Sequence, residues 1–163
     1  MTNQHSAPST PRPLPTWDEI VDQLQQLQAR GFEQRGKWDL EQTARHLNDW
    51  LSFLMDGFPD PPMLLKPVLV LLRLFLGKRW LKEILEKQAM RRGSSTLPST
   101  VHASTGKSGE AIQQLLGTIE RFRGYKGPIH RSPLFGSLDK PTADRLQRIH
   151  FAHHLSFLTV QPS

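Results

Sequence analysis

Three of the seven histidines in this 163-residue chain fall within five positions near its C-terminus, in the stretch Arg148-Ile149-His150-Phe151-Ala152-His153-His154-Leu155-Ser156-Phe157-Leu158. At about 100° per residue, Leu146, Ile149, His150, His153, His154 and Phe157 share one broad arc of a helix. A core-facing side belongs on that arc, and imidazoles buried there require partners. His150 and His154 are four apart, one helical turn above the other, a spacing suited to gripping one metal ion. His150 and His153, three apart, offer a second possible pair, with His153 otherwise holding a ligand from behind by a hydrogen bond. Two ligands do not close a site, so a third must come from another element.

The elements that could supply it are helical. Thr16-Trp17-Asp18-Glu19 has the form of a capping box, and Trp17, Ile20, Val21, Leu24 and Leu27 recur behind it at helical spacing. This first helix is expected to end near Gln28, with Gly31 beyond it. Asp39 is a second N-cap with Gln42 at the capping-box position, and Leu40, Ala44, Leu47, Leu51 and Leu54 form the apolar stripe of the next helix. His46, Trp50 and Phe53 lie along one margin of that stripe. His46 can therefore point into a bundle, which makes it the leading third ligand. With His150 and His154 it would form a three-imidazole site with positions left open for water or substrate.

After Gly57-Phe58-Pro59-Asp60-Pro61-Pro62 comes the most apolar run, Met63 to Leu76. At fourteen residues, with Lys66, Pro67 and Arg73 inside it, it falls short of the ~20 apolar residues a bilayer span needs. It is expected to be a helix buried in the core or against a partner, continuing through Trp80, Leu81, Ile84 and Leu85 to about Met90. Residues 91 to 109 read as a loop. Its Thr105-Gly106-Lys107-Ser108 lacks the earlier glycine and the preceding strand of a phosphate-binding loop and is rejected as one. Ala111, Leu115, Leu116, Ile119 and Phe122 mark a helix over about 110–122. A second loop, 124 to 140, carries His130, and the last helix starts near Pro141 and runs to about Leu158. No stretch alternates convincingly as a strand. The expected fold is all-α, a four-helix bundle with an additional helix and two long loops.

Composition removes several functions. There is no cysteine, hence no disulfide framework, thiol nucleophile or Cys-type zinc site. The net charge of +6 raises nucleic acid as a partner, but no recognisable nucleic-acid module occurs and specific binding is not expected. No Gly-x-Ser-x-Gly elbow supports a hydrolytic triad. Asp49, three residues from His46, reads as solvated surface, and His5 and His102 as uninvolved. Residues 1–15 lack an apolar signal region and read as a disordered tail, 16–159 as one helical domain and 160–163 as a C-terminal tail. The default location is cytoplasmic.

Trp38-Asp39-Leu40-Glu41-Gln42-Thr43-Ala44-Arg45-His46-Leu47 resembles the W-s-x-x-Q-x-x-x-H-L signature of DinB-like (YfiT-like) metal-binding bundles. More narrowly, the chain resembles the domain-of-unknown-function 1569 family of bacterial proteins, through His150-Phe151-Ala152-His153-His154-Leu155-Ser156-Phe157-Leu158 and the loop from His130 to Leu138. That family commonly has H-P-x-F-G-x-L in the loop, whereas here Arg131-Ser132-Pro133-Leu134-Phe135-Gly136 displaces the proline and puts His130 outside the pattern. The resemblance covers roughly residues 17 to 158. It implies a DinB-like bundle with a divalent metal, zinc or nickel, on His46, His150 and His154, with His153 as the alternative ligand. It also implies small-molecule chemistry of the kind found in thiol-dependent S-transferases that use bacillithiol or mycothiol, and in a maleylpyruvate isomerase. A metal-dependent transfer from a low-molecular-weight thiol to a small electrophile is one expectation. The alternative is a non-enzymatic bundle with structural histidines that binds a ligand or a partner helix, with a homodimer through the apolar run as one form of it; association with a membrane surface through that run and its basic flank ranks last.

Overall fold

The computed structural model describes residues 13–93 and 96–162, so the expected tail up to Arg12, with His5, lies outside the described residues. Four long helices make the bundle: α1 (Trp17–Arg30), α2 (Leu40–Asp56), α5 (Ser108–Gly124) and α6 (Lys140–Leu155). Between α2 and α5 the chain leaves the bundle as α3 (Lys66–Leu72), a π turn (Arg73–Gly77) and α4 (Lys78–Lys87).

Both expected capping boxes form. Thr16 accepts from the Glu19 N–H while Glu19 reaches back to the Thr16 N–H, and Asp39 and Gln42 do the same at the start of α2. Each satisfies two amides that the first helical turn would otherwise leave without partners. The second box sets the register of α2, and so the direction in which His46 points. At the other end of α1, Gly31 takes φ 82°, a conformation open to glycine at little cost.

The bundle core is the apolar stripe of each helix: Ile20, Leu24 and Leu27 of α1, Leu47, Leu51 and Leu54 of α2, Ile112, Leu115 and Ile119 of α5, and Phe151 and Leu155 of α6. Trp17 closes one end, edge-on to Phe122 and Phe151, with its indole N–H donating to Asp144 at 2.6 Å. The inward face of α6 is thus centred nearer Phe151 and Leu155 than the sequence arc suggests. His150 and His154 sit at the edge turned to α2, and His153 is carried further out.

Three expectations are corrected. The last helix stops at Leu155 instead of Leu158, because the chain turns to pair Leu158–Val160 (β2) antiparallel with Phe32–Gln34 (β1). Val160, expected in the C-terminal tail, lies opposite Phe32 there, and the Gln161 N–H donates to the Gly31 carbonyl. These strands are three residues each, too short to show alternation in sequence. The third correction concerns the apolar run, which is not in the core. The four bundle helices fill their own interior, and α3 lies outside with none of its side chains buried.

Candidate metal centre

The site is built where α2 and α6 face each other. From α2, His46 is buried; from α6, His150 is buried and His154 half-buried. One ligand nitrogen from each lies within 4.8 Å of those of the other two. Nε2 of His46 and Nε2 of His150 are 3.2 Å apart. Ring centroids are separated by 5.1 Å (His46–His150), 4.6 Å (His46–His154) and 4.8 Å (His150–His154). Trp38, at the foot of α2, stacks on His154 at 5.4 Å and 6° and lies 4.7 Å from His46. Trp50, one turn above His46, stands edge-on to His150 at 5.9 Å.

The loop between α4 and α5 is strapped along the same face of α2. The Thr100 carbonyl lies 3.1 Å from Nδ1 of His46, and the Gln42 side chain donates to the His102 carbonyl at 2.8 Å. His102 meets Asp49 at 2.6 Å. The buried Glu41 carboxylate accepts from the Thr105 N–H (2.9 Å), the Thr105 hydroxyl (2.6 Å) and the Lys107 N–H (2.8 Å), with Arg45 beside it. Chiefly the Thr105 hydroxyl bond holds this carboxyl down at about 2, against the opposing effect of its burial. The stretch rejected as a phosphate loop therefore does hold an anion through its backbone, and that anion is the chain's own Glu41.

These contacts decide the chemistry of the imidazoles. A carbonyl oxygen only accepts, so Nδ1 of His46 carries the proton and Nε2 presents its lone pair. Gln147 Oε1, 3.4 Å from Nδ1 of His150, orients that ring the same way. Burial holds His46 down at about 4 and His154 at about 3, and pushes His150 well below its ordinary value, with neighbouring imidazoles adding to the effect on His150 and His154. The three rings are therefore neutral at pH 7.

With Oε1 of Gln147 facing Nδ1 of His150, two lone pairs face across 3.2 Å and repel unless a cation lies between them. A proton on His150 Nε2 shared with His46 would require the Gln147 amide to present its nitrogen, in place of Oε1, to Nδ1 of His150. Nitrogens about 2.05 Å from a tetrahedral ion stand about 3.3 Å apart, which matches the His46–His150 pair. Neutral imidazoles suit zinc and nickel, and outer hydrogen bonds such as those from Thr100 and Gln147 are what orient such ligands. The three donors together could hold a metal ion. The Trp50 indole N–H, buried and without a hydrogen-bond partner among the described residues, adds a polar group beside the cluster that is left to be satisfied.

The structure brings together His46, His150 and His154, the set the sequence placed on facing helices, and leaves His153 outside it. His153 is half-buried and packs edge-on to His154 and Phe157 at 5.1 and 5.3 Å, with the Arg92 guanidinium over Phe157. Burial, and then Arg92, lowers its pKa. His130 is exposed near Gly57 at the far end of α2 and takes no part. Asp49 and His102 are corrected: neither is free surface or bystander, since they pair with each other and help hold the strap over His46. Thr100, Gln147 and the Glu41 anchor were missed. Only the charged Glu41 between Leu40 and the stripe residue Ala44 carried a trace in the sequence, and its partners lie more than sixty positions away.

A four-helix bundle with three imidazoles clustered between two of its helices defines the class: a helical-bundle protein with a histidine site able to hold a metal ion. The chain belongs to the family described as Protein of unknown function (DUF1569), which it matches over residues 13–161. No curated protein and no solved structure matches it.

Proposed function

We propose that this is a DinB-like metalloprotein in which His46, His150 and His154 hold a divalent ion, zinc or nickel, and that it transfers a low-molecular-weight thiol to a small electrophile. The ion would supply Lewis acidity and lower the pKa of a coordinated thiol or water. The chain's own groups do the rest. Thr100 and Gln147 keep the Nδ1 protons of His46 and His150 in place, so both Nε2 atoms stay available as ligands. Trp38 and Trp50 wall the cluster with rings and reduce the access of water, which strengthens electrostatic interactions inside. The Trp50 indole N–H can donate to an oxygen or anionic atom beside the cluster. The observation that carries the reading is the convergence of three largely buried imidazole nitrogens within 4.8 Å of one another, with the Nε2 atoms of His46 and His150 3.2 Å apart.

The alternative, a non-enzymatic bundle with structural histidines, draws support from the surface. Two concavities, of about 350 Å³ between α4 and α6 and about 310 Å³ beneath α3, are lined by other residues than the three histidines. Metal content by plasma mass spectrometry separates the two readings. Near-stoichiometric metal in the native protein and in His153→Ala, lost in His46→Ala and His154→Ala, is the expected result. An apo-protein that stays empty after reconstitution with zinc and with nickel would return the histidines to a structural role.

A further inference from the structure

The apolar run that the bundle does not bury is organised as a ridge. Leu64 in the turn before α3, Val68 and Leu71 on α3 and Phe75 in the π turn recur at spacings of four, three and four and are 87, 48, 54 and 76 % exposed. Met63 and Leu74 flank the stripe and are also exposed. Single apolar side chains on a surface are ordinary, whereas a contiguous stripe of this kind marks a surface that meets something.

The ridge is held in place. At the end of the π turn, Gly77 is buried against the backbone oxygen of Leu134, where any Cβ would collide. The turn thereby fixes α3 and α4 to the 132–136 segment. Arg145 of α6 ties α4 down further by donating to the Leu85 carbonyl at 2.8 Å.

Charge on this segment has one sign. No acidic residue occurs between Asp60 and Glu83, while Lys66, Arg73, Lys78, Arg79 and Lys82 all do. Directly after the π turn that holds Phe75, Lys78 and Lys82 stand one turn apart on α4. With Arg145 they also edge the roughly 350 Å³ concavity whose floor is Leu81 and Leu85. Glu86 is the acid on that rim, and it pairs with Lys82 at 3.7 Å. Apolar side chains that can enter an acyl layer therefore run directly into cations at the level of headgroup phosphates.

From this juxtaposition we infer that the α3–α4 ridge docks on an anionic lipid bilayer, with Leu64, Leu71 and Phe75 in the interface and Lys78, Arg79 and Lys82 against the headgroups. The contact is peripheral, because among the described residues no helix is long and apolar enough to cross a membrane. A second copy of the chain suits the ridge less well. A two-fold contact applies the same patch to itself, so the unbalanced cations of both copies would gather around one seam. An anionic surface takes those cations as counter-charges.

The test is co-sedimentation of the full chain with vesicles of phosphatidylserine and phosphatidylcholine, compared with phosphatidylcholine alone. The protein is expected to pellet with the anionic vesicles and to be released by high salt, as electrostatic attachment is screened. Phe75→Asp with Leu71→Asp should abolish pelleting. Lys78→Gln with Lys82→Gln should weaken partition roughly thirtyfold, the loss expected for two cations at such a surface. Circular dichroism and sedimentation velocity on each variant show that the bundle is intact. Protein that stays in the supernatant with anionic vesicles overturns the proposal, as does pelleting that survives the aspartate substitutions. A solution dimer that Phe75→Asp splits into monomers also overturns it, whatever the vesicles do, and assigns the ridge to contact between copies. Metal content enters none of these readouts, so this inference and the metal reading fail separately.

Discussion

The α2–α6 face and the α3–α4 ridge invert the usual partition of side chains in opposite directions. On the first, three imidazoles and a carboxylate are drawn into the protein, and each is matched by a carbonyl, an amide, a hydroxyl or another ring. On the second, large aliphatic and aromatic side chains are turned outward and exposed among the described residues. Buried polar groups cost free energy unless partnered, and exposed apolar stripes cost solubility, so neither arrangement follows from folding alone. The difference lies in where the missing partner must come from. On the readings proposed above, the histidine face takes something small enough to enter between three ring nitrogens, whereas the ridge takes something extended and flat.

The sharpest way to break that comparison sets one residue type against itself. Phe151→Ala, inside the bundle, should cost about 3–5 kcal/mol in urea unfolding, since it empties a fully buried site against Trp17. Zinc should act on the histidine face alone. At a thousandfold excess over its Kd it should stabilise the native protein by about 4 kcal/mol, read as a rise in Tm that His46→Ala does not show.

Acid tests the strap. The Glu41 carboxyl is lower in the folded state, about 2 against an ordinary 4.5, so the unfolded chain binds more protons between those values. Its contribution is complete above pH 4.5 and is lost as the pH falls toward 2. Glu41→Gln should flatten that part of the stability curve. It should also raise hydrogen exchange at Thr105 and Lys107, whose amides donate to the carboxylate.

Smaller effects follow at the helix start and on the ridge. Asp39→Ala removes the cap that sets the register of α2, worth about 1 kcal/mol in denaturant unfolding. Phe75→Ala should change stability by less than about 0.5 kcal/mol, because the ring is already exposed. A loss at Phe75 comparable to that at Phe151 would mean the ridge is covered within the folded chain, and the contrast would collapse.

Much of the fold was legible because its signals are local. Capping boxes span four residues, and the stripes of α1, α2 and α5 repeat within each helix, so Leu24, Leu47 and Leu115 could be assigned to the core one element at a time. His46, at the margin of the α2 stripe, and the pair His150 and His154, one turn apart, could be matched because facing helices in a bundle present such margins to each other. The inward face of α6 is narrower than its sequence arc. Its histidines hid the fact that Phe151 and Leu155 carry the core contact, which left His153 and His154 undivided. The composition of the apolar run measures how much the segment could bury and carries no information about whether the bundle has room for it.

By itself, then, the sequence determined an all-α bundle, its helix starts and the three imidazoles worth watching, since spacing and capping act over a turn or two of chain. The tertiary structure alone decided that Thr100 and Gln147 orient the imidazoles, that Glu41 anchors the strap, that Asp49 and His102 pair, and that the apolar ridge faces outward. Each of these depends on groups far apart in the chain, or on competition for space in a shared core. Such outcomes are fixed by packing and hydrogen-bond satisfaction in three dimensions and leave little local periodicity behind.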